Sequence, residues 1–334
     1  MSQYREAGVD IDAASSSVER IKKLIGSTHG PGVLSTIGGF SGLYHAGALE
    51  FKDLVLASGA DGVGTKVKIS QAMGKHDTVG IDLVAMNCDD VVTSGARPLF
   101  FLDYIAVSKL EPEVITDLVK GIVEGCNQAG CVLLGGETAQ MPDVYRPGEY
   151  DLAGFCVGGV ERSEIIDGSR ISAGDVLIGF RSSGLHSNGY TLARRILLDE
   201  AKLRLDQVIP EFGRTLGEEL LEPTRIYAKS LISLKDQVDV KGIAHITGGG
   251  ILGNVPRILP RGLAMSLTYE WGIPPVFRLI QDLGNVSSQE MYRVFNMGVG
   301  MVVVVSPIEA DRAIAVLAEL GIDAFAIGEI TKHA

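Results

Sequence analysis

The sequence predicts a two-domain protein in which mixed β-sheets carry helices on one face. Apolar runs typical of strands alternate with segments of helical periodicity, and some strand-like runs follow one another without a helix between them. The pattern breaks into polar turns at residues 166–173, and each half contains a glycine-rich turn after a strand. The 334 residues suffice for about two domains. We expect domains of residues 1–168 and 169–334 that face a shared cleft.

The elements of the first half follow from apolar periodicity. Residues 1–14 are expected to be irregular, and residues 15–25 to form a helix because Val18, Ile21, Leu24 and Ile25 fall on one face. The remaining strands are predicted at residues 54–58, 99–107, 131–134 and 150–160, and the remaining helices at residues 65–73, 77–94 and 111–129.

The second half repeats the alternation. Its predicted strands are residues 176–181, 242–246, 263–269, 299–306 and 324–328. Its predicted helices are residues 190–200, 224–234, 275–283 and 307–320. No short internal repeat is visible in the sequence.

Composition excludes several classes of function. The net charge of −11 argues against general nucleic-acid binding and against attachment to an anionic membrane. No apolar run reaches the roughly 18 residues of a membrane span, and the first twelve residues lack a signal-peptide core, so we expect a cytoplasmic protein. The four cysteines form no CxxC pair and are predicted to be buried, reduced thiols rather than zinc ligands or disulfides.

The stretch Ala60–Lys66 (ADGVGTK) is the strongest functional signal. A carboxylate, two glycines, a hydroxyl and a lysine lie where a predicted strand gives way to a helix. Glycines let backbone N–H groups approach an anion, and a helix start favours negative charge. Asp61 is a candidate magnesium ligand and Lys66 a candidate phosphate contact. The spacing is neither that of a Walker loop nor that of a dinucleotide fingerprint, and a purely structural turn is the alternative.

A glycine-rich passage precedes this motif, at residues 29–42. It is either a linker or a mobile flap over a site, and Phe40 and Tyr44 favour the flap because they could pack on a ligand.

Acidic residues cluster in the first half. Asp82, Asp89 and Asp90 lie on an otherwise apolar predicted helix, where burying an unpaired carboxylate is costly. Glu137 follows the predicted strand 131–134 across two glycines. A magnesium site explains these acids, since magnesium prefers oxygen ligands. Solvent-facing or turn-capping carboxylates are the alternative.

Two segments of the second half resemble ligand cradles. The segment Ser182–Tyr190 joins a strand to a helix and offers hydroxyls, an imidazole and an amide, which suit a phosphate monoester. His245 and Thr247–Gly250 repeat this design with three adjacent glycines. His186 is either an acid–base group or a structural histidine.

The order of these motifs over nearly the whole chain resembles the aminoimidazole ribonucleotide synthetase family, within the PurM-like superfamily. The matching stretches are residues 4–12, 61–66, 80–86, 98–104, 135–138, 153–158, 186–190, 245–250 and 295–300. Gln140, Asp143 and Arg97 depart from the family pattern, which leaves their roles open.

The resemblance implies an ATP-dependent ring closure in purine biosynthesis. Formylglycinamidine ribonucleotide would become aminoimidazole ribonucleotide, with release of ADP and phosphate. Transfer of the γ-phosphoryl group makes the amide oxygen a leaving group, the amidine nitrogen attacks, and phosphate departs. Such chemistry needs mainly positioning and charge neutralisation.

The resemblance also implies a role for each motif. Magnesium would be held by Asp61, Asp82, Asp90 and Glu137. ATP would contact Gly38, Gly39, Gly42, Asp61, Gly64, Thr65, Lys66 and Thr138. The substrate would contact Ser187, Asn188, Gly189, Thr247, Gly248, Gly249 and Gly250. Lys66, His186 and His245 would be catalytic.

The family fold is α+β, with N-terminal domains that pair through their sheets, so a homodimer is expected. Two alternatives stay open. One is another ATP-dependent enzyme of the superfamily, of the selenophosphate or thiamine-phosphate type, although no cysteine precedes Cys88. The other is a non-catalytic nucleotide-binding module.

Overall fold

The computed structural model describes residues 11–333, apart from the side chains of residues 11–18 and of Ala48. The matching stretch at residues 4–12 therefore lies almost entirely outside the described residues. The first half contains a four-stranded sheet, and the second half contains a five-stranded sheet and a short two-stranded one.

The first half folds around a four-stranded sheet in the order β1-β4-β2-β3. The pairs β1–β4 and β4–β2 are antiparallel and β2–β3 is parallel, so this sheet is mixed as predicted. The strands are Leu54–Gly62 (β1), Arg97–Val107 (β2), Val132–Gln140 (β3) and Tyr150–Glu161 (β4). The helices are Ile11–Gly26 (α1), Val67–Met73 (α2), Val79–Val92 (α3) and Pro112–Ala129 (α4).

The second half folds around a five-stranded sheet in the order β8-β10-β5-β11-β9. All four pairings are antiparallel, so the mixed character expected of both sheets is confined to the first. The strands of the half are Val176–Arg181 (β5), Val208–Ile209 (β6), Arg214–Thr215 (β7), Val240–His245 (β8), Leu263–Leu267 (β9), Val299–Val305 (β10) and Ala324–Lys332 (β11). The helices are Tyr190–Arg194 (α5), Leu216–Leu221 (α6), Ala228–Lys235 (α7), Gly250–Asn254 (α8), Pro275–Gly284 (α9), Ser288–Val294 (α10) and Ala310–Glu319 (α11).

The predicted elements lie where the sequence placed them, with three notable differences. Helix α1 begins at Ile11, so the irregular start expected for residues 1–14 is wrong for residues 11–14. Strand β3 continues through Gly135-Gly136-Glu137 to Gln140, because its parallel pairing with β2 extends to Val107. Helices α6, α8 and α10 and strands β6 and β7 were not predicted.

Helix α3 is the element that positions the functional region. It packs directly on β4, where a Cβ atom at Gly158 would lie 2.5 Å from the Val91 side chain. Its other side packs on α4, where a Cβ at Gly80 would lie 2.3 Å from the backbone nitrogen of Ile122. The close approach on both sides fixes the acids of α3 relative to the sheet.

Within residues 11–333, no helix is both long enough and apolar enough to cross a membrane.

Candidate functional site at the junction of the two domains

Helix α3 brings three of the predicted segments together. The turn after β1, the segment 182–190 and the end of β8 all contact it or one another. The hydroxyls of Thr65 and Thr191 are 3.1 Å apart, and a Cβ on Gly64 would lie 3.7 Å from the carbonyl oxygen of Ser187. The predicted cradles of the two halves therefore border one region.

Lys66 and Asp82 form a buried ion pair. Both side chains are fully buried, with 2.8 Å between Lys66 Nζ and Asp82 Oδ1. Lys66 also donates to the carbonyl oxygen of Glu222, and Asp82 Oδ1 accepts hydrogen bonds from the backbone N–H and hydroxyl of Thr224. Burial lowers the pKa of Lys66, and the charge of Asp82 opposes that shift. This arrangement does not favour the predicted roles of Lys66 as a phosphate contact and Asp82 as a metal ligand, because both side chains link the two halves of the chain.

Asp89 also links the two halves of the chain. Its carboxylate is fully buried, and Oδ1 accepts a hydrogen bond of 2.9 Å from the backbone N–H of Tyr227. Burial raises the pKa of Asp89 to about 7. The acids on the buried face of α3 therefore bind the segment 222–228 of the second half.

Asp61 lies at the end of β1 with an exposed side chain. Asn87 of α3 holds its backbone: the Asp61 N–H donates to Asn87 Oδ1 at 2.9 Å, and Asn87 Nδ2 donates to the Asp61 carbonyl. Asp61 Oδ1 accepts from the N–H of Gly62 at 2.7 Å. The backbone of Asp61 and one of its carboxylate oxygens are thus held by hydrogen bonds, and the side chain is open to solvent. Such a carboxylate is suited to a cation that prefers oxygen ligands.

Asp90 pairs with a histidine from the other half. The distance from His245 Nδ1 to Asp90 Oδ1 is 2.8 Å, and the His245 ring is buried. Burial lowers the pKa of His245, but the hydrogen bond with Asp90 and the charges of Asp89, Asp90 and Asp61 outweigh burial and raise it. His245 Nε2 is buried and has no hydrogen-bond partner. The pair leaves one ring nitrogen available to a ligand and occupies one oxygen of the predicted metal ligand Asp90.

His186 is buried in the segment 182–190 with a positive φ of 62°. Its Nε2 accepts a hydrogen bond from the N–H of Ser183 at 3.1 Å, which places the ring proton on Nδ1. Burial lowers the pKa of His186 well below its usual value, and the positive charges of His245 and Lys66 lower it further. His186 is thus a neutral imidazole whose Nδ1 lacks a partner.

The rest of this segment is shaped by glycine and by contacts between the halves. Gly189 has a φ of 78°, and a Cβ there would lie 2.3 Å from the Phe295 ring. The hydroxyl of Ser187 is 3.3 Å from that of Thr224, and Asn188 Nδ2 lies 3.9 Å from the sulfur of Met86 on α3. Asn188 is therefore positioned beside the acids of α3 and is half-buried.

The turn Thr247–Gly250 follows β8 directly. Gly249 and Gly250 have positive φ values of 100° and 60°. The Nδ2 atom of Asn254 donates to the carbonyls of Thr247, Gly248 and Gly250 at 2.9–3.4 Å. These hydrogen bonds hold the turn from its buried side, and Gly248 is exposed on the other.

Glu137 and Thr138 lie apart from this region. Register places Asp61, Gly154, Asp103 and Gly136 side by side across the sheet, so Glu137 on β3 is about 14 Å from β1 at ordinary strand spacing. A Cβ on Gly136 would point at the Asp103 carboxylate, so its neighbour Glu137 points to the opposite face. The predicted convergence of Glu137 with Asp61 and Asp90 is therefore wrong within one chain.

The loop that contains Gly38, Gly39 and Gly42 lies over β3. A Cβ on Gly42 would lie 2.5 Å from the Leu134 side chain. Phe40 is fully exposed, whereas the ring of Tyr44 packs on Phe100 at 5.4 Å. A cavity of about 430 Å³ beside the loop is lined by Lys22, His29, Ser35, Thr36 and Ile37.

Two residues of the junction escaped the sequence analysis: Asn87 and Thr224. Each acts through hydrogen bonds to backbone or to another side chain that the chain pattern does not reveal. Asn87 alone carried a local signal, because it lies one turn from Asp90 on the same helix. Among the described side chains, no group of three or more His, Cys, Asp or Glu residues has an arrangement that could hold a metal ion.

Comparisons with known proteins agree with this architecture. The family models for the N-terminal and C-terminal domains of AIR synthase related proteins match residues 44–160 and 172–334. The chain belongs to the AIR synthase related family. A protein named phosphoribosylformylglycinamidine cyclo-ligase from Carboxydothermus hydrogenoformans is 55% identical over 98% of this chain and 96% of its own length.

Solved structures share the fold at low sequence identity. Thiamine-monophosphate kinase from Stenotrophomonas maltophilia has a TM-score of 0.69 at 18% identity, with 94% of each chain covered. The hydrogenase maturation protein HypE in complex with ATP has a TM-score of 0.65 at 17% identity, and the match covers 95% of this chain and 87% of HypE. These neighbours show the fold alone.

Proposed function

We propose that this protein is an ATP-dependent phosphoribosylformylglycinamidine cyclo-ligase of purine biosynthesis. The observation that carries this proposal is the 55% identity with a relative of that name along 98% of the chain. The resemblance to thiamine-monophosphate kinase is confined to the fold at 18% identity, so a different superfamily activity is not favoured. A non-catalytic nucleotide module is not favoured either, because the relative is named as a ligase. We also propose a cytoplasmic location, as expected for this pathway.

The reaction suits the groups at the junction. Formylglycinamidine ribonucleotide and ATP give aminoimidazole ribonucleotide, ADP and phosphate, and one nitrogen must lose a proton as the ring closes. We assign that proton to His245 Nε2, which is free while Nδ1 is held by Asp90. The partnerless Nδ1 of neutral His186 would donate a hydrogen bond to the substrate.

Substrate contacts are proposed for the two loops that face each other. Ser187, Asn188 and Gly189 would offer donors from one side, and Thr247, Gly248 and Gly249 would offer backbone N–H groups from the other. Gly250 would only close this turn, because its N–H donates to the carbonyl oxygen of Thr247 at 3.0 Å. Glycine at the left-handed position 249 would let the backbone approach a phosphate without a side chain between them. Glycine at position 250 allows close packing on α10, since a Cβ there would lie 2.1 Å from the carbonyl oxygen of Tyr292.

The donor set fits a magnesium ion only in part. Magnesium is commonly held by one or two carboxylates together with substrate phosphates. Asp61 meets this requirement, since its carboxylate is exposed and its backbone is fixed by Asn87. A bound magnesium ion would neutralise negative charge on the nucleotide phosphates. We propose Asp61 as its ligand and keep Gly64 and Thr65 as phosphate contacts.

The glycine loop remains our proposal for the nucleotide lid. Gly42 borders β3 at Leu134, Gly38 lies beside Lys22, and Lys22 supplies a positive charge to the adjacent cavity. We keep Gly38, Gly39, Gly42 and Thr138 as proposed nucleotide contacts. Closure of such a loop would keep water from the reacting groups.

A homodimer is proposed through the uncovered face of the first sheet. The helices cover one face, and the other exposes Leu56, Tyr104 and Phe155 on three neighbouring strands. Large apolar side chains exposed on the same face of a sheet are typical of a protein interface.

The substitution Asp61→Asn tests the function and the metal assignment together. We expect ATP-dependent formation of aminoimidazole ribonucleotide to fall about 100-fold or more, because the carboxylate charge that holds the ion is removed. Turnover is measured by ADP release and product absorbance, and nucleotide affinity is titrated with and without magnesium. The control Asp53→Asn changes an exposed surface acid paired with Arg162 and should keep the wild-type rate.

Two results would contradict different parts of this proposal. If Asp61→Asn turns over at the wild-type rate, the metal assignment is wrong. If the wild-type protein forms no product from ATP and substrate, the cyclo-ligase function itself is wrong.

A further inference from the structure

Four buried cysteines meet in the core of the first half, outside the candidate site. Cys88 lies on α3, Cys126 on α4, Cys131 directly before β3 and Cys156 on β4. The sulfur of Cys88 lies 3.5 Å from that of Cys156 and 3.8 Å from that of Cys131. The prediction of buried, free thiols is confirmed, but their clustering was not predicted.

The cluster is not a metal centre. No group of three or more potential ligands among the described residues has a metal-holding arrangement, and this includes the cysteines. The sulfur atoms are nevertheless in contact. A disulfide needs sulfur atoms at about 2.05 Å, so Cys88 and Cys131 would have to approach by less than 2 Å. Cys88 is the common neighbour of two thiols and is placed to bond with either.

Cys131 is the thiol that an oxidant reaches first. Its exposed fraction is 5%, whereas the other three are fully buried. It follows Gly130, whose left-handed conformation ends α4 at the edge of the core. Hydrogen bonds from Cys126 and Cys88 lower the pKa of the Cys131 thiol well below its usual value. The thiolate is the form that reacts with peroxides.

We propose that Cys131 and Cys88 form a reversible disulfide when the protein meets a peroxide. The Cys131 thiolate attacks one peroxide oxygen; an S–O bond forms, the O–O bond breaks and hydroxide leaves. The Cys88 sulfur then attacks the Cys131 sulfur; an S–S bond forms, the S–O bond breaks and the oxygen leaves as water with the Cys88 proton. Each sulfur loses one electron, and the peroxide is reduced to water by two.

The bond would disturb the candidate site through α3. Cys88 follows Asn87, which holds the backbone of Asp61. The helix packs directly on β4, where a Cβ at Gly154 would lie 2.9 Å from Asn87 Nδ2. Because this packing is close, a displacement of Cys88 would be transmitted to the neighbouring Asn87. We therefore expect oxidation to reduce turnover, an expectation that depends on the proposed cyclo-ligase function.

The test begins with thiol chemistry, which does not depend on that function. Reduced protein is treated with hydrogen peroxide, alkylated, digested and analysed by mass spectrometry. We expect free thiols, counted after denaturation, to fall from the four of the sequence to two. A cross-linked peptide pair containing Cys88 and Cys131 should appear, and dithiothreitol should remove it.

Variants separate this bond from the alternatives. Cys131→Ala and Cys88→Ala should each abolish the cross-link, and circular dichroism confirms that each is folded. Cys156→Ala is the matched control and should still form it, because the Cys156 sulfur contacts Cys88, and the hydrogen bonds that lower the pKa of Cys131 come from Cys126 and Cys88. A cross-link to Cys126 or Cys156 instead, or four free thiols in oxidised wild-type protein, would overturn the proposal.

Turnover is measured on the same samples. Oxidised wild-type protein should lose activity on the order of tenfold or more and regain it with dithiothreitol, while Cys131→Ala should be insensitive to peroxide. A disulfide that forms without loss of turnover would refute the coupling to Asp61 and leave the cyclo-ligase function intact. Inactive reduced protein would refute the function, and the disulfide would then be judged by mass spectrometry alone.

Discussion

Lys66 shows how a residue in a phosphate-binding pattern can serve the interior instead. Its motif combines glycines, a threonine and a lysine at a strand-to-helix turn, yet the lysine side chain turns inward to Asp82. The turn itself exposes Asp61, Gly64 and Thr65. The motif thus contains two groups of residues. Asp61, Gly64 and Thr65 lie on a surface that can contact a ligand, and Lys66 forms a buried ion pair.

Replacing Lys66 with methionine should destabilise the protein strongly. The substitution leaves the carboxylate of Asp82 buried without its cation, which typically costs about 3–5 kcal/mol. Urea denaturation of both proteins measures the difference in the free energy of unfolding.

Lys68→Met is the matched control for that experiment. Lys68 lies two residues further along and pairs with Glu149 in a partly exposed position, so its loss should cost less than about 1 kcal/mol. If Lys66→Met unfolds like the wild type but binds nucleotide more weakly, the phosphate contact expected from the sequence would be restored.

Tyr150 makes stability depend on alkaline pH. Its hydroxyl contacts Ser70 at 2.6 Å and His76 at 3.0 Å, and burial raises its pKa to about 12. The unfolded chain releases this proton near pH 10, so the unfolded state binds fewer protons between pH 10 and 12. The stabilisation by the protonated phenol is complete below pH 10 and is lost as pH rises towards 12.

Tyr150→Phe should therefore flatten the pH dependence in that window. Between pH 10 and 12 the wild type should lose about 2–3 kcal/mol more unfolding free energy than the variant. Slopes are compared rather than absolute values, because the substitution also removes two hydrogen bonds. The exposed residue Tyr269 provides the control Tyr269→Phe, whose slope should follow the wild type. Equal slopes for all three proteins would contradict the raised pKa of Tyr150.

At the scale of elements, Gly80 tests the contact between α3 and α4. A Cβ there would lie 2.3 Å from the nitrogen of Ile122 and 2.5 Å from the carbonyl oxygen of Leu118, both backbone atoms that cannot rotate away. Gly80→Ala should therefore lower the free energy of unfolding by about 1–3 kcal/mol, measured by urea denaturation.

Gly253→Ala provides the control, since nothing lies within 4 Å of the added carbon. It should be neutral or stabilising by up to about 1 kcal/mol, as alanine favours a helix over glycine. Equal destabilisation by both substitutions would show that loss of glycine, rather than the helix contact, is responsible.

Elements with regular apolar periodicity were predictable, and those defined by distant partners were not. Helix α4 was predicted within one residue of its start, because its apolar stripe is long. Strand β3 was truncated at its glycines, because only the parallel pairing with β2 continues it. Helix α6 was missed although Thr215 and Glu218 form a capping box, a signal that was present in the sequence.

At the scale of the whole molecule, the two halves are joined by the acids first considered as metal ligands. Asp82 bonds to Thr224 and Asp89 to Tyr227, partners 142 and 138 positions away along the chain. Composition and periodicity carry no information about such pairs. The sequence therefore predicted that these acids on an apolar helix are unusual, but not which of them face inward.

The uncovered face of the first sheet is the proposed dimer interface. Phe155 is 53% exposed at the centre of this face, between Ala60 on β1 and Leu102 on β2. A charge there would be desolvated by a partner subunit, so Phe155→Glu should convert the proposed dimer to a monomer in light scattering after gel filtration. Ile308→Glu, at an 88% exposed position in the other half, should leave the dimer intact. A monomeric wild type, or a dimeric Phe155→Glu, would show that this face is not the interface.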